Sequence, residues 1–493
     1  MKLKKQQSGF ILVLVLVIAS LLIVLAGGLS TVGVYRSRLY NQLVAKQQAL
    51  YVAEAGVNYY RWHLAHAQSD YLDGTGADPG GGGAPYGPYI HNFIAPSSGI
   101  SGKYSLEITP PPTGSTMVRV KSTGWLDDYP NTKRSVEVRY GIPSLAHFSF
   151  LTHSDVWFGN TESVVGELHS NGGVRMDGSN DSVIASARQT FTCPAGLACN
   201  TQATCQAPCA WRVVSGPDYC ECPGVFGAGV NSSLWQFPVP TVDFASITMD
   251  LNTLKSNASS TCGLFKVTGS NYGFHLTFNA NGTFDARQVT SLAAGVSQKN
   301  SDWNDWRWPQ GYETIAEQYN GQAAAQNCSI PANGIIFVED GDVWVDGTVN
   351  GRATLAAATL PDNINKRRTI FINDNLRYLA RDGNHVLGLI AQKDVKVPRY
   401  APTNLTIDAV MLAQNGRVFR NYYRNGAVVK NNIEVYGSII TNLQWTWSWV
   451  NGSGVVIDGY TNTQSIYDPS VTYSPPPFYP TTGEYAFISW EEK

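Results

Sequence analysis

The chain opens with a long run of apolar positions that contains no charge. The run extends from Phe10 to Tyr35 and follows a basic leader with Lys2, Lys4 and Lys5. At about 1.5 Å of rise per residue, a helix of this length exceeds the roughly 30 Å hydrocarbon core of a bilayer. A secretory signal has a shorter apolar region of about 7–15 residues and a small-residue cleavage site behind it, which is not seen here. The run therefore predicts a membrane-spanning helix with a cytoplasmic N-terminus and a translocated remainder.

The apolar pattern continues with helical spacing after the run. Leu43, Leu50, Val57 and Leu64 recur every seven residues, which places them along one side of a helix. No proline interrupts this stretch, and proline is the strongest helix breaker. The pattern predicts one continuous transmembrane and assembly helix over 10–68, behind a leader at 1–9.

Alternating apolar and polar positions replace the helical spacing after a Gly/Pro-rich loop. The loop reads "YLDGTGADPGGGGAPYGPY", and the alternating runs read "GKYSLEI", "STMVRVKSTGWL" and "KRSVEVRYGI". Such runs, separated by turn residues, are typical of antiparallel strands. We expect residues 69–145 to hold this loop and a small sheet packed on the outer half of the helix.

Short apolar runs separated by Gly, Asn and Asp fill most of the remaining chain. The runs that start at Ile335, Ala353, Ile370 and Leu387 recur about every 17–18 residues, which suits one coil of a solenoid and is too short for a propeller blade. The pattern predicts a right-handed parallel β-helix over 146–450. A β-sandwich stays open as an alternative, because periodicity of short runs does not fix topology.

The predicted fold class is therefore α+β. A long N-terminal helix with a small antiparallel sheet precedes a large, mainly-β domain, which carries a cysteine-rich insertion at 190–330 and is followed by a C-terminal tail at 451–493. With 493 residues, the chain is long enough for more than one domain.

The eight cysteines fall inside the predicted insertion. Six are clustered and two stand apart: Cys193, Cys199, Cys205, Cys209, Cys220, Cys222, Cys262 and Cys328. Zinc sites use pairs of cysteines separated by two to four residues, and these spacings fit that pattern poorly. An even number on the translocated side predicts disulfides, whose pairing the sequence leaves open.

Charge and composition exclude some functions. Lys and Arg number 35 against 37 for Asp and Glu, a net charge of −2, so the chain has no basic field for nucleic acid. We expect no nucleic-acid partner. Charged residues make up only 15%, while Gly numbers 47 and Tyr 25, which favours β structure with many turns.

Candidate chemistry is sparse. No motif indicates catalysis, a metal site or a cofactor site. We therefore expect a protein that is not an enzyme and that binds neither a metal nor a cofactor. The segment "QWTWSWV" carries Trp445, Trp447 and Trp449, which alternate as on one face of a strand. Such rings can stack on sugars, and they equally suit packing in a core.

The boundary between leader and apolar run resembles a known processing signal. Gly9 stands directly before Phe10, as in the class III signal of type IV pilins and pseudopilins. The resemblance implies that a prepilin peptidase cleaves after Gly9 and methylates Phe10. The segment "ALYVAEAGVNYY" is similar to the helix of PilX-type minor pilins, and it makes Glu54 either a carboxylate facing a neighbouring subunit or a plain surface charge.

One position departs from the pilin pattern. Major pilins carry a glutamate at the fifth residue of the mature chain, where this sequence has Leu14. In the family, that carboxylate neutralises the N-terminal ammonium of the subunit ahead in the filament, a pair strengthened by low dielectric. The K-type pseudopilin at the tip of the type II secretion system also lacks it. Leu14 therefore indicates a minor subunit near the tip.

The resemblance implies a minor type IV pilin or tip-located pseudopilin that helps to initiate the pilus, presents an adhesive domain, or both. Its expected partners are other pilins, prepilin peptidase, the inner membrane before assembly, and surface glycans. Its expected location is the inner membrane, and then the cell surface or pilus. Two alternatives remain: an anchored protein that never polymerises, and a membrane-anchored β-helix enzyme or carbohydrate-binding protein acting on surface polysaccharide.

Overall fold

The computed structural model describes residues 8–95, 99–244, 250–258, 261–299, 313–423, 428–451 and 455–493. The chain forms two compact units. The first, called the helix-sheet unit, comprises Met1–Pro112, Met117–Gly141 and Glu484–Lys493. The second, called the large β unit, comprises Thr113–Thr116 and Ile142–Gly483.

The two α-helices of the described residues are α1 (Ser8–His66) and α2 (Asp250–Asn257). In chain order, the first strands are β1 (Tyr86–Ile94), β2 (Ser101–Thr109), β3 (Met117–Leu126), β4 (Tyr129–Gly141), β5 (Phe150–Thr152), β6 (Val156–Phe158), β7 (Glu162–Val165), β8 (Leu168–Ser170), β9 (Val174–Met176), β10 (Ser179–Asn180), β11 (Ile184–Ser186), β12 (Thr190–Thr192), β13 (Ala210–Arg212), β14 (Tyr219–Pro223), β15 (Val225–Phe226), β16 (Trp235–Gln236), β17 (Leu264–Lys266) and β18 (Gly273–Phe278). The later strands are β19 (Thr283–Leu292), β20 (Val296–Lys299), β21 (Glu313–Ile315), β22 (Tyr319–Gln322), β23 (Gln326–Ser329), β24 (Ile335–Glu339), β25 (Asp342–Val349), β26 (Arg352–Ala358), β27 (Ile370–Tyr378), β28 (Val386–Ala391), β29 (Val395–Lys396), β30 (Asn404–Ala413), β31 (Val418–Phe419), β32 (Tyr422–Tyr423), β33 (Val429–Thr441), β34 (Ser448–Val450), β35 (Val456–Tyr467) and β36 (Ala486–Glu492).

The helix-sheet unit pairs α1 with an antiparallel sheet in the order β1-β2-β3-β4-β36. The helix is apolar at its start and is long enough to cross a membrane by length and composition. It ends at His66, two residues before the predicted boundary. The α+β prediction of a long N-terminal helix followed by a large, mostly-β part is confirmed.

The sheet packs one face against the second half of α1. Alternate strand residues turn inward, as the period of two requires. The shared core contains Ala45, Val52, Val57, Tyr60 and Leu64 from the helix, and Leu106, Ile108, Val118, Val120, Val136 and Val138 from the sheet.

The C-terminal residues do not form the predicted tail. β35 pairs in parallel with β33, and β36 pairs antiparallel with β4 as the edge strand of the small sheet. The prediction for 451–493 is therefore wrong, because both strands satisfy their backbone groups in sheets formed by residues far away in sequence.

The large β unit contains a ladder of parallel strands in the order β24, β26, β28, β30, β33, β5, β8 and β11. Residues in register form one column of buried apolar side chains: Ile336, Leu355, Leu389, Met411, Ile439, Phe150, Leu168 and Ile184. The earliest strands of the unit therefore stack on its late strand β33.

The ladder is buried on its other face as well. Ile335 and Phe337 alternate with the inward residues of β24 and pack with Leu251 and Leu254 of α2. Burial on both faces explains why these strands are nearly continuous apolar runs, as is usual for parallel sheets.

The predicted coil length of 17–18 residues is wrong. Ile335 pairs with Thr354, but Ala353 pairs with Leu387, two predicted intervals away. The run at Ile370 lies in β27, whose residues Ile370 and Phe371 pair with β25 and β29 and not with β24 or β26. The apparent period arose because apolar runs of two different ladders alternate along the chain.

The predicted insertion over 190–330 is also too long. β17 pairs in parallel with β24, and β18 pairs in parallel with β25, so these strands extend the main ladders. The three-stranded antiparallel sheet β12-β14-β13 is separate from them.

Candidate functional site

The first half of α1 is an exposed apolar surface. From Phe10 to Leu43 nearly every side chain is exposed, and Ala45 is the first that the sheet buries. Exposed apolar surface of this extent marks contact with a membrane or with other subunits. We call this stretch, residues 10–43, the exposed apolar surface.

The predicted processing and assembly residues lie at the start of this surface. Gly9 is inside α1, Phe10 exposes 75% of its surface, and Leu14 exposes 47%. Glu54 lies further along the helix and is partly exposed, and it is the only acidic residue of α1. Cleavage, methylation and subunit contacts at these positions stay predictions.

The "AEAG" segment packs closely against the sheet. A Cβ on Gly56 would lie 2.4 Å from Oγ of Ser122 and 2.6 Å from Cδ2 of Tyr104. The glycine costs about 1 kcal/mol of helix propensity relative to alanine, and the close packing explains its presence. Small residues in this segment therefore allow the helix to pack directly against the sheet.

Two histidines in the last turn of α1, His63 and His66, make separate contacts. His63 is buried and its Nε2 lies 3.4 Å from Oδ2 of Asp70, whereas Nδ1 of His66 hydrogen-bonds the carbonyl oxygen of Trp62. Neighbouring His91 bonds Oδ2 of Asp73 at 2.7 Å. The sequence did not predict these contacts, because Asp70, Asp73 and His91 lie outside the helix.

All eight cysteines are paired, as their even number predicts. The disulfides are Cys193–Cys199, Cys205–Cys220, Cys209–Cys222 and Cys262–Cys328. Three of them hold β12, β13 and β14, which we call the cysteine module. Its β13–β14 connection carries Val213 and Val214, exposed by 77% and 45%. The fourth disulfide belongs to the main ladders and not to this module.

Two of the three tryptophans named as candidate sugar contacts are core residues. Trp445 and Trp447 expose only 3% and 1%, and the Trp445 ring stacks 5.1 Å from that of Phe158. The sugar-contact prediction is wrong for both, because a buried ring presents no face to a glycan. Trp449 is partly exposed and donates from Nε1 to the carbonyl oxygen of Arg420 at 3.1 Å.

Carboxylates at the turns of the large β unit bond to backbone of an adjacent strand. Oδ1 of Asp155 accepts from the backbone N–H of Gly173 at 2.7 Å, and Oδ1 of Asp342 accepts from Thr369 at 2.9 Å. Burial raises the pKa of both carboxyls, and the backbone donors oppose that rise. Carboxylates used in this way are structural hydrogen-bond acceptors.

No protein-family model and no curated protein matches the chain. Among solved structures, the crystal structure of the competence-associated pilin ComZ from Thermus thermophilus is similar with a TM-score of 0.32 and 14% sequence identity. The match covers 91% of this chain and 97% of that chain. A likeness at this TM-score does not carry the fold or function of that protein to this one.

Proposed function

We propose that this chain is a minor type IV pilin or tip-located pseudopilin that helps to initiate a filament, presents an adhesive domain, or both. The observation that carries the proposal is the division of α1. Its first part, 10–43, is an exposed apolar surface, and its remainder packs on an antiparallel sheet. A helix of this kind can lie in a membrane and then exchange lipid for the helices of neighbouring subunits.

The finer features of the proposal come from the sequence. Prepilin peptidase cleaves after Gly9 and leaves Phe10 as the N-terminal residue, in the manner of PilX-type minor pilins. Leu14 cannot neutralise the N-terminal ammonium of a subunit ahead, so the chain occupies the tip. Other pilins are its partners, and it passes from the inner membrane to the cell surface.

The large β unit is proposed to be a right-handed parallel β-solenoid. The support is the register of β24, β26, β28 and β30, in which successive parallel strands stack apolar residues in columns. Each strand layer then buries its apolar face on the next, as in other solenoids. A rigid body of this kind suits the presentation of a surface to a glycan or a cell.

The proposed role is not enzymatic. Polysaccharide-cleaving enzymes need carboxylates that converge in a cleft. The half-buried carboxylates Asp155 and Asp342 instead accept backbone hydrogen bonds. The cysteine module, with its exposed Val213 and Val214, is the proposed contact element of the large β unit.

Immunogold labelling of the large β unit on sheared filaments tests the proposal. We expect label at one end of each filament, and an N-terminus at Phe10 in the purified protein. Gly9→Val should retain the leader. Leu14→Glu should leave the number of filaments unchanged or place the protein within the shaft. Leu16→Glu, at a similarly exposed position of the helix, controls for the cost of a charge in the membrane.

Regular label along the filament would exclude the tip location. Absence of the protein from sheared filaments, together with an intact Met1, would exclude the filament role. Release of sugars from surface polysaccharide by the membrane-bound protein would instead support the anchored enzyme.

A further inference from the structure

Four polar side chains from distant parts of the chain meet inside the large β unit. They are Gln298 on β20, Glu317 between β21 and β22, Lys396 on β29, and Asn421 just before β32. Each exposes 5% or less of its surface. Burial of an amine, a carboxylate and two amides is costly unless these groups hydrogen-bond to one another.

The fold places Lys396 in this site because strand side chains alternate. Its neighbour Val395 packs in the central core, so Lys396 faces the opposite way. There the antiparallel strands β21, β20 and β32 cover it. The Phe419 ring, 5.5 Å from Nζ of Lys396, adds an apolar wall.

The carboxylate of Glu317 lies against the amine of Lys396. Nζ of Lys396 lies 2.5 Å from Oε1 of Glu317. The other carboxylate oxygen, Oε2, accepts from the hydroxyl of Tyr423 at 2.6 Å and from the backbone N–H of Arg399 at 3.3 Å. The carboxylate is thus fixed by two donors, and its free oxygen faces the amine as a general base would.

The amide of Gln298 is held against the same amine. Nζ of Lys396 lies 3.1 Å from Oε1 of Gln298. That oxygen also accepts from Nδ2 of Asn421, and Nε2 of Gln298 donates to the carbonyl oxygen of Ile315 at 3.1 Å. When the amine attacks the amide carbon, Nδ2 of Asn421 remains as the donor on Oε1, where negative charge develops.

We propose that Lys396 and Gln298 are a modification site, at which they form an intramolecular isopeptide bond with Glu317 as the catalytic base. Glu317 takes a proton from Nζ, and the Nζ lone pair attacks Cδ of Gln298. The second Nζ proton passes through Glu317 to Nε2, the Cδ–Nε2 bond breaks, and ammonia leaves. The first proton stays on Glu317, so the atoms balance without any co-reactant.

The reaction removes both charges from a buried site, which favours the product. It also closes a covalent link between residues 98 positions apart and ties β20 to β29. Preformed geometry replaces the encounter of two reactants, which is how such a step proceeds without a separate enzyme. This inference is independent of the filament proposal.

Peptide mass spectrometry of the purified, denatured and reduced full chain tests the site. Trypsin cleaves after Arg287, Lys299, Lys393 and Arg399, and it does not cleave after an acylated lysine. We expect a branched product in which 288–299 is joined to 394–399, lighter than the sum of the two peptides by one ammonia, about 17 Da. Fragment ions should place the branch at Gln298 and Lys396.

Variants separate the roles. Lys396→Arg and Glu317→Gln should each abolish the branched peptide, and Asn421→Ala should slow its formation several-fold. Lys430→Arg is the matched control, because Lys430 is equally buried but donates to the peptide carbonyl of Ala401. It should leave the branched peptide intact.

Finding only the separate peptides 288–299, 394–396 and 397–399 in wild-type protein would overturn the proposal. A branch from Lys396 to Asn421 would overturn the assignment of Gln298 as the electrophile. Full cross-linking in Glu317→Gln would overturn the role of Glu317.

Discussion

Gly124 of β3 lies against the backbone of α1 at Ala53. A Cβ built on Gly124 would lie 2.4 Å from the backbone nitrogen of Ala53 and 2.4 Å from the carbonyl oxygen of Ala49. Both atoms belong to the helix backbone, so no side-chain rotation could relieve the contact. The sheet and the helix therefore meet at a distance that only glycine permits.

Gly124→Ala should weaken the helix-sheet unit, since it would force α1 away from β3. Overpacking of this kind costs about 1–3 kcal/mol. Denaturant unfolding of the full chain in detergent, followed by hydrogen exchange of β2–β4, measures the loss. Gly27→Ala is the control, because nothing lies within 4 Å of its added methyl group and alanine favours helix. Equal stability of the two variants would contradict the close contact.

The sequence predicted the helix and strands of the helix-sheet unit well, but it predicted the large β unit only as a stack of short strands. Alternation in β2, β3 and β4 is a local pattern that reports the buried face of each strand directly. The heptad spacing in α1 identifies the buried Val57 and Leu64, but Leu43 of the same series is exposed, because the sheet covers only the second half of the helix. In contrast, the stacking of Ile439 on Phe150 joins residues 289 positions apart in register, and no periodicity of neighbours predicts it. The predicted coil length of 17–18 residues was wrong for the same reason, because strand pairing cannot be read from the spacing of neighbouring runs.

The buried polar residues were missed on similar grounds. Gln298, Glu317, Lys396 and Asn421 look like ordinary polar positions in sequence, because each stands alone among its neighbours. Only the antiparallel cover formed by β20, β21 and β32 brings them together. The one available signal was Lys396 in the run "VLGLIAQKDVKVP", where a charged residue stands between the two apolar residues Val395 and Val397.

The second prediction concerns the pH dependence of stability. Burial raises the pKa of Glu162 to about 8, and nearby Asp177 adds to the rise, while the backbone N–H of Gly159 opposes it. A carboxyl whose folded pKa lies above its unfolded value stabilises the fold fully below the unfolded pKa. That contribution is lost as pH rises through the folded pKa.

Glu162 should therefore reduce the free energy of unfolding by up to about 1.4 kcal/mol per pH unit between its unfolded pKa and about 8. Glu162→Gln should remove this part of the slope and should be the more stable form at pH 8. Chemical denaturation from pH 5 to 9 measures both slopes. Glu167→Gln, at an exposed position, should keep the wild-type slope, and a similar slope in all three proteins would refute the prediction.

The third prediction ranks two disulfides by the loop that each closes. Cys262–Cys328 spans 66 positions, whereas Cys193–Cys199 spans 6. In the chain-entropy model the longer loop constrains the unfolded chain more, so its loss should cost about 4 kcal/mol against about 2 kcal/mol for the shorter. Paired Cys→Ala variants, unfolded by denaturant without reductant, measure the two costs. A larger loss for the Cys193–Cys199 variant would contradict this order.

The fourth prediction concerns β36, the C-terminal strand that pairs with β4 in the small sheet. Removal of 484–493 would delete β36 and leave the edge of β4 unpaired from Val136 to Gly141. It would also delete Tyr485, whose hydroxyl donates to the carbonyl oxygen of Gln68 at 2.9 Å just beyond α1.

We expect the truncated chain to lose stability in the helix-sheet unit and to retain the large β unit, which ends at Gly483. Hydrogen exchange followed by mass spectrometry reports the two units separately: peptides of β3 and β4 should exchange faster, and peptides of β28 and β30 should not change. Phe487→Ser is a milder variant of the same strand. The Phe487 ring is 53% exposed and contacts Tyr140 edge-on at 6.2 Å. Its loss should perturb β36 without breaking the pairing of β36 with β4. If β3 and β4 exchange at the wild-type rate in the truncated chain, β36 contributes nothing to the sheet. The C-terminal residues would then be the tail that their position in the sequence suggested.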